Sequence, residues 1–249
     1  MKIKKLFYDV ETVGLDYRKH SIVQLSGFIE IDGKIVEHFD FKIRPHPKSH
    51  IDEEALKVNR KTIEEIQKYE VHEKQFKKFN RLLDSYCDKY NKEDKIYLIG
   101  YNNTKFDDFF LRKYFELNGN QFFNSYFYSN SLDVMVLASE YLLDRRSMMP
   151  SFKLFRVAKE LGIYLVESNF HDSKYDVKIT KMIYDIVTKK VVDPSKGFFY
   201  YKNGSTFWKT FEEDLDSSDY RVSFKVFRSS LHRNRQYDGD HLIRDDLFY

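Results

Sequence analysis

The stretch Leu6-Phe7-Tyr8-Asp9-Val10-Glu11-Thr12 restricts what this chain can fold into more than any other. It reads as an apolar strand with two carboxylates at its exit. Side chains alternate across a strand, so Asp9 and Glu11, two residues apart, point to the same face. Acids pressed together on a sheet face lose solvation and repel each other. A hard divalent ion relieves both costs, because it takes oxygen ligands and keeps waters for chemistry. Taken alone, the pair reads first as solvated charges at a strand end, and D-x-E is weak evidence of a site. What decides between the two is whether the rest of the chain brings more carboxylates to the same place.

With 249 residues the chain can form one large domain, or one domain with an extension. Lys and Arg number 42 against 39 Asp and Glu, so the net charge of +3 neither demands nor excludes a nucleic-acid partner. The single cysteine, Cys87, excludes an internal disulfide framework and fits a reducing compartment. No signal-peptide core follows Met-Lys-Ile-Lys-Lys, and no apolar run approaches the ~20 residues of a membrane span. The expectation is a cytoplasmic protein with no membrane partner.

A second strand is expected over Ser21–Ile31, then a turn at Asp32-Gly33 and a partner strand over Ile35–Ile43. Thr62 to Glu65 has the form of a capping box opening a short helix. Phe76, Phe79, Leu83, Tyr86 and Tyr90 then recur at helical spacing, with Cys87 as a packed neighbour. Ile96–Ile99 is a short strand ending at Gly100. A helix starts near Asp107, with Phe106, Phe110, Tyr114 and Leu117 inward and Gly119 as its stop. Further helices are expected over Leu132–Leu143, Ser151–Leu161 and Ser173–Thr188, and a second hairpin over Phe198–Phe211 around Asn203-Gly204. Strands alternating with helices after a hairpin give an α/β layout, a central mixed β-sheet flanked by α-helices.

Asp107 follows a strand of the sheet core directly, so its carboxylate belongs at the strand exits where crevices open. His171 and Asp176 are five residues apart, an offset of about 140° on a helix, so they cannot share a helical face. His171 therefore falls in the loop before the last helix, with Asp172 or Ser173 as the cap.

Asp9-Val10-Glu11-Thr12, Asn102-Asn103 through Phe106-Asp107, and His171 with Asp176 resemble the three motifs of the DEDDh (DnaQ-like) 3′-to-5′ exonucleases. Gly100 to Asp108, Leu132-Asp133-Val134-Met135 and Pro150 to Leu154 are similar to the exonuclease I branch of that family. Tyr175 adjoins Asp176 and does not precede it by four residues, so the histidine class is the one that fits.

The resemblance implies an RNase H-like exonuclease domain over residues 1–190, with 191–249 as a C-terminal extension. It implies two Mg2+ ions, Mn2+ substituting, held by Asp9, Glu11, Asp107 and Asp176, with Asp9 bridging ions about 4 Å apart. His171 would act as general base toward the attacking water. It also favours Asp107 over Asp108 as ligand, and places Thr12, Val13, Gly14 and Leu15 beside the terminal nucleotide. Asn102, Asn103 and Phe106 would join the substrate site; Asn102 and Asn103 read equally as the turn between strand and helix. Asp133 is at most a supporting acid at a helix start.

The implied activity is hydrolysis of single-stranded DNA from its 3′ end, releasing nucleoside 5′-monophosphates. The alternatives are a 3′-to-5′ exoribonuclease or a proofreading subunit of a polymerase assembly. Asn59-Arg60-Lys61-Thr62 departs from the His-Gly-Ile-Thr turn of many members. Arg221, Lys225, Arg228, Arg233 and Arg235 lie among aromatics in the tail, which reads either as a single-strand groove or as a solvated face.

Overall fold

The computed structural model describes residues 2–165, 172–188, 197–202 and 205–210. The chain forms two compact units, Met1–Val134 with Asn169–Val177, and Met135–Ser168 with Lys178–Tyr249.

The first unit is built on a five-stranded sheet. Its strands are β1 (Lys4–Thr12), β2 (Ile22–Ile31), β3 (Lys34–Lys42), β4 (Ile96–Gly100) and β5 (Leu132–Asp133), in spatial order β3-β2-β1-β4-β5. The first three pair antiparallel, while β4 joins β1 and β5 joins β4 in parallel, so the sheet is mixed as expected. The Asp32-Gly33 turn has positive φ at both residues, +49° and +81°, the twist that suits a two-residue hairpin.

One face of β1 is sealed. Leu6, Tyr8 and Val10 pack against Phe76, Phe79 and Leu83 of a helix spanning His72–Tyr86, and against Phe110, Leu111, Tyr114 and Phe115 of one spanning Asp107–Leu117. In chain order the helices are α1 (Glu53–Val58), α2 (Ile63–Gln67), α3 (His72–Tyr86), α4 (Asp107–Leu117), α5 (Phe123–Tyr126), α6 (Val134–Tyr141), α7 (Leu154–Glu160) and α8 (Ser173–Thr188). Thr62 caps α2 by accepting the Glu65 N–H at 3.1 Å. Gly119, at φ +65°, ends α4 in a Schellman motif. Its N–H reaches the Glu116 carbonyl, and that of Asn120 reaches Phe115.

Three expectations are corrected. The aromatic stripe of α3 stops at Tyr86, and Tyr90 lies beyond it, exposed. There Asp88 and Asn91 each accept an N–H two residues on, chemistry that favours turns over helix. Leu132 and Asp133 begin no helix; they pair with Ile99 and Gly100 as a sheet-edge strand, and α6 starts at Val134. Finally, α7 begins at Leu154 rather than Ser151, because Lys153 is extended (ψ 154°). On α4, Leu111 and Phe115 are the buried partners of Phe110 and Tyr114, whereas Phe106 and Leu117 are only half-buried.

The second unit carries most of α6, α7, the later part of α8 and a hairpin of β6 (Gly197–Lys202) with β7 (Ser205–Thr210). The hairpin register ends at Lys202↔Ser205, the bracket expected around positions 203–204. Phe211 and the basic tail residues Arg221 to Arg235 lie outside the described residues. Among the described residues, no helix is long and apolar enough to cross a membrane.

Candidate active site

The open face of β1 meets β2 in a ladder that changes character along its length. Lys5 pairs with Glu30 at 2.9 Å, and Phe7 stacks on Phe28 at 5.0 Å. Asp9 then stands opposite Ser26, and Glu11 opposite Gln24. The ladder therefore runs from an ion pair through an aromatic pair to carboxylates facing neutral side chains.

Ser26 brings the third motif to this place. Its buried hydroxyl shares a 2.6 Å hydrogen bond with the buried Ser173 hydroxyl at the start of α8. Lys174 reaches across to Asp40 of β3 at 2.9 Å, and Asp40 also accepts from Ser26 and Gln24. Asp172 caps α8 by accepting the Lys174 N–H at 2.9 Å, the first of the two cap residues expected. Asp176, one turn further, is thereby held toward Asp9.

Asp107 arrives from the other side. The parallel pairing of β1 with β4 covers only Lys4–Phe7, so β1 projects beyond its neighbour. The Val10 N–H on that bare edge donates to Asp107 Oδ1 at 3.1 Å. Asp108, the next residue, turns the opposite way. It accepts from the Tyr8 hydroxyl, from Asn103 Nδ2 at 3.0 Å and from the Ser131 hydroxyl at 2.6 Å. Asp133 in turn accepts from the Asn102 N–H at 2.9 Å and the Thr104 hydroxyl at 2.7 Å, which fixes the loop leading into α4.

The electrostatics follow the geometry. Burial pushes the Asp9 carboxyl well above the usual carboxylate range, and Asp107, Glu11, Asp176 and Asp172 add repulsion. Glu11 is pushed up to about 7, chiefly by burial, against the pull of Lys61 and with further repulsion from Asp107 and Asp172. Asp107 also rises to about 7 through burial, opposed by hydrogen bonds from the Val10 and its own N–H. Four carboxylates, with no nitrogen or sulfur donor among them, form a hard oxygen donor set that fits a divalent cation of the Mg2+ type. These acids lie near enough to repel one another, yet among the described residues no group of three His, Cys, Asp or Glu side chains is arranged to hold a metal ion.

The residues expected to touch substrate divide. Thr12 is buried, its hydroxyl on the Gly14 carbonyl at 2.7 Å, and Val13 lies in a small core with Val23, Leu56, Ile66 and Tyr69. Gly14 is buried, and a Cβ there would collide with the His20 ring. Leu15 alone of the four is open, 78% exposed. Asn102 takes a left-handed conformation, φ +60°, that makes the turn. Asn103 is 0% exposed, and a Cβ on Gly100 would sit 2.7 Å from its own. Asn103 thus packs into the turn between β4 and α4. Phe106 is half-buried with its ring 4.8 Å from Phe110. His171 lies outside the described residues.

Several positioning residues escaped the sequence reading. Ser26, Asp40 and Lys174 carry no motif, and only the register of β1 on β2 reveals them; Ser173 enters the sequence reading only as a candidate cap. Asn59 donates to the Thr12 carbonyl at 2.9 Å, and Arg60 adopts φ +53° at the place where the resembling family has glycine. The signal there was the departure of Asn59–Thr62 from the family pattern.

Acids gathered at the strand exits of a mixed sheet, between β1 and the start of α4, are the layout of a phosphoryl-transfer site. Residues 6–184 match the RNase T exonuclease family, and the chain belongs to it. Exonucleases of this type are metal-dependent nucleic-acid hydrolases. Solved structures with the same RNase H-like fold include Escherichia coli exonuclease I in its zinc-bound complex with single-stranded DNA. That match has 24% identity, covers 76% of this chain and 41% of that one, and has a TM-score of 0.63. Its complex with a 5cy-dT13 oligonucleotide matches at 22% identity over 76% and 41% of the two chains, with a TM-score of 0.62. A further exonuclease I structure matches at 23% identity over 72% and 39%, with a TM-score of 0.57. The chain thus spans about two-fifths of the length of the exonuclease I chains it matches. No curated protein matches its sequence.

Proposed function

We propose that the chain is a 3′-to-5′ exonuclease that removes nucleoside 5′-monophosphates from single-stranded DNA, with residues 1–190 as its exonuclease domain and 191–249 as an extension. The observation that carries this reading is that Glu11, Asp107 and Asp176 all lie close enough to raise the Asp9 carboxyl, in a chain of the exonuclease family. The exonuclease I structures that share the fold include complexes with single-stranded oligonucleotides, which supports DNA as the substrate.

In this reading Asp9, Glu11, Asp107 and Asp176 would hold two Mg2+ ions, for which Mn2+ would substitute. When bound, the ions neutralise the acids and stabilise the charge that develops on the scissile phosphate. Water attacks phosphorus, the bond to the 3′ oxygen of the preceding nucleotide breaks, and His171 takes the proton lost by the water. Ser26, Ser173 and the Lys174–Asp40 pair hold Asp176 in register; Val10 holds Asp107. Leu15 borders the terminal nucleotide. The setting we propose is the cytoplasm, where the single buried thiol stays reduced.

A time course on 5′- and 3′-labelled single-stranded DNA, duplex DNA and RNA, with Mg2+ and with EDTA, tests polarity, substrate and metal together. The expected result is stepwise loss from the 3′ end of single-stranded DNA in Mg2+ only. Cleavage of RNA with DNA spared would replace the substrate assignment, and activity in EDTA would remove the metal. His171→Ala should lower kcat far more than it weakens oligonucleotide binding, and wild-type turnover would overturn its role.

A further inference from the structure

Two residues past Asp107 begins a pair of stacked rings, one packed against the core and the other open to solvent. Tyr17 follows β1 in the loop over residues 13–20, and Phe109 lies in the first turn of α4, two residues past Asp107. Their rings are stacked, 5.2 Å apart at 18°, while Tyr17 rests edge-on against buried Phe110. Phe109 is 42% exposed, although the same helix buries Phe110, Leu111, Tyr114 and Phe115 well. The Arg18 guanidinium lies over Tyr17, 5.9 Å from its centroid, and Lys19 and Lys105 nearby in sequence are exposed.

The loop that presents Tyr17 is built to stay in place. Asp16 N–H donates to His20 Nδ1 at 3.0 Å, and the Asp16 carbonyl accepts from both Lys19 and His20. Asp16 Oδ1 accepts the Arg18 N–H and side chain, and the Lys19 carbonyl accepts the His50 N–H at 2.9 Å. A loop held this firmly loses little entropy when it binds. Phe109 is about 200° around α4 from Asp107, so the rings lie on the flank of the helix, outside the acid nest.

We propose that the Tyr17–Phe109 stack is a platform for an unpaired nucleobase of the substrate strand, upstream of the terminal nucleotide, with Arg18 beside its phosphate. The inference rests on the nuclease reading and adds a second point of grip to it. An aromatic face flanked by cations takes any base by stacking and its backbone by charge, which suits single strands of mixed sequence. A duplex end keeps its bases paired and cannot lay one there, so the platform favours single-stranded ends.

The test compares an oligothymidylate with the same strand made abasic just upstream of its terminal nucleotide. KM and kcat are read in Mg2+, and binding by fluorescence anisotropy in EDTA. Phe109→Ala should raise KM and Kd about tenfold on the intact strand, within the stacking range of one base, and leave kcat nearly unchanged. Wild type should lose the same factor on the abasic strand, and Phe109→Ala should lose nothing more there. Tyr17→Ala should behave alike, and Phe109→Trp should restore binding. Losses that multiply on the abasic strand, or no loss for Phe109→Ala, would overturn the platform while wild-type cleavage kept the nuclease reading intact. Failure of wild type to cleave or bind any strand would overturn both.

Discussion

The two faces of β1 both bury carboxylates, and they do so to opposite ends. On the sealed face, Asp108 accepts from Tyr8, Asn103 and Ser131, and Asp133 behind it accepts from Asn102 and Thr104. Donors surround each acid there, and burial strengthens the bonds they make. On the open face, the neighbours of Asp9 are Asp107, Glu11, Asp176 and Asp172, all of its own sign. Such arrangements of buried like charges cluster at functional sites. Adjacent residues of one helix, Asp107 and Asp108, thus do different jobs because one faces acids and the other donors.

The largest expected difference is in activity. Asp9→Ala should lower cleavage by about a thousandfold or more, since loss of a central ligand removes several kcal/mol of charge stabilisation. Its Tm in EDTA should hold or rise, because repulsion is relieved. A fall in Tm would show that Asp9 is scaffold and erase the contrast. Asp108→Ala should do the reverse to stability, costing about 2–3 kcal/mol by leaving buried Tyr8 and Asn103 donors unmet. Thermal unfolding should show that as a drop of roughly 5–10 °C.

A smaller effect is expected from pH. Glu11 and Asp107 titrate near 7 when folded, against roughly 4 in an unfolded chain. Between those values the folded state holds more protons, so stability in EDTA falls as pH rises from about 4 to 7. Saturating Mg2+ should flatten that slope, and its affinity should weaken below about pH 7 as protons compete for the same oxygens. Glu11→Gln should reduce the slope in EDTA. An unchanged slope in that variant would locate the titration elsewhere.

Much of this division was legible beforehand, for a definite reason. The period of two in β1 put Asp9 and Glu11 on one face, and strand-then-helix order put Asp107 at a strand exit. Local sequence, however, carries no register. The opposition of Asp9 to Ser26 depends on how β1 and β2 align, and the Ser26–Ser173 bond joins residues 147 positions apart. The same gap misplaced Leu132 and Asp133, since a two-residue strand is too short for any period to show. Asn103 reads equally as turn or contact in the sequence, and its complete burial is a property only the fold supplies. The choice of Asp107 over Asp108 rests on family likeness, and the three donors that meet Asp108 come from positions the sequence does not bring together.

Ser131→Ala gives the finest test of the contrast. Asp108 would keep Tyr8 and Asn103 as donors, and Ser131 is itself half-buried, so water can reach the oxygen it leaves. The cost should be about 0.5–1 kcal/mol, a drop of a few degrees in Tm, with kcat unchanged. Ser173→Ala removes a similar single bond on the open face, yet there the bond holds the helix start that carries Asp176. It should cost no more in stability than Ser131→Ala but lower kcat several-fold. Equal kcat in the two variants would mean that the register of α8 is set elsewhere, and that the hydroxyl pair under Asp9 only fills space.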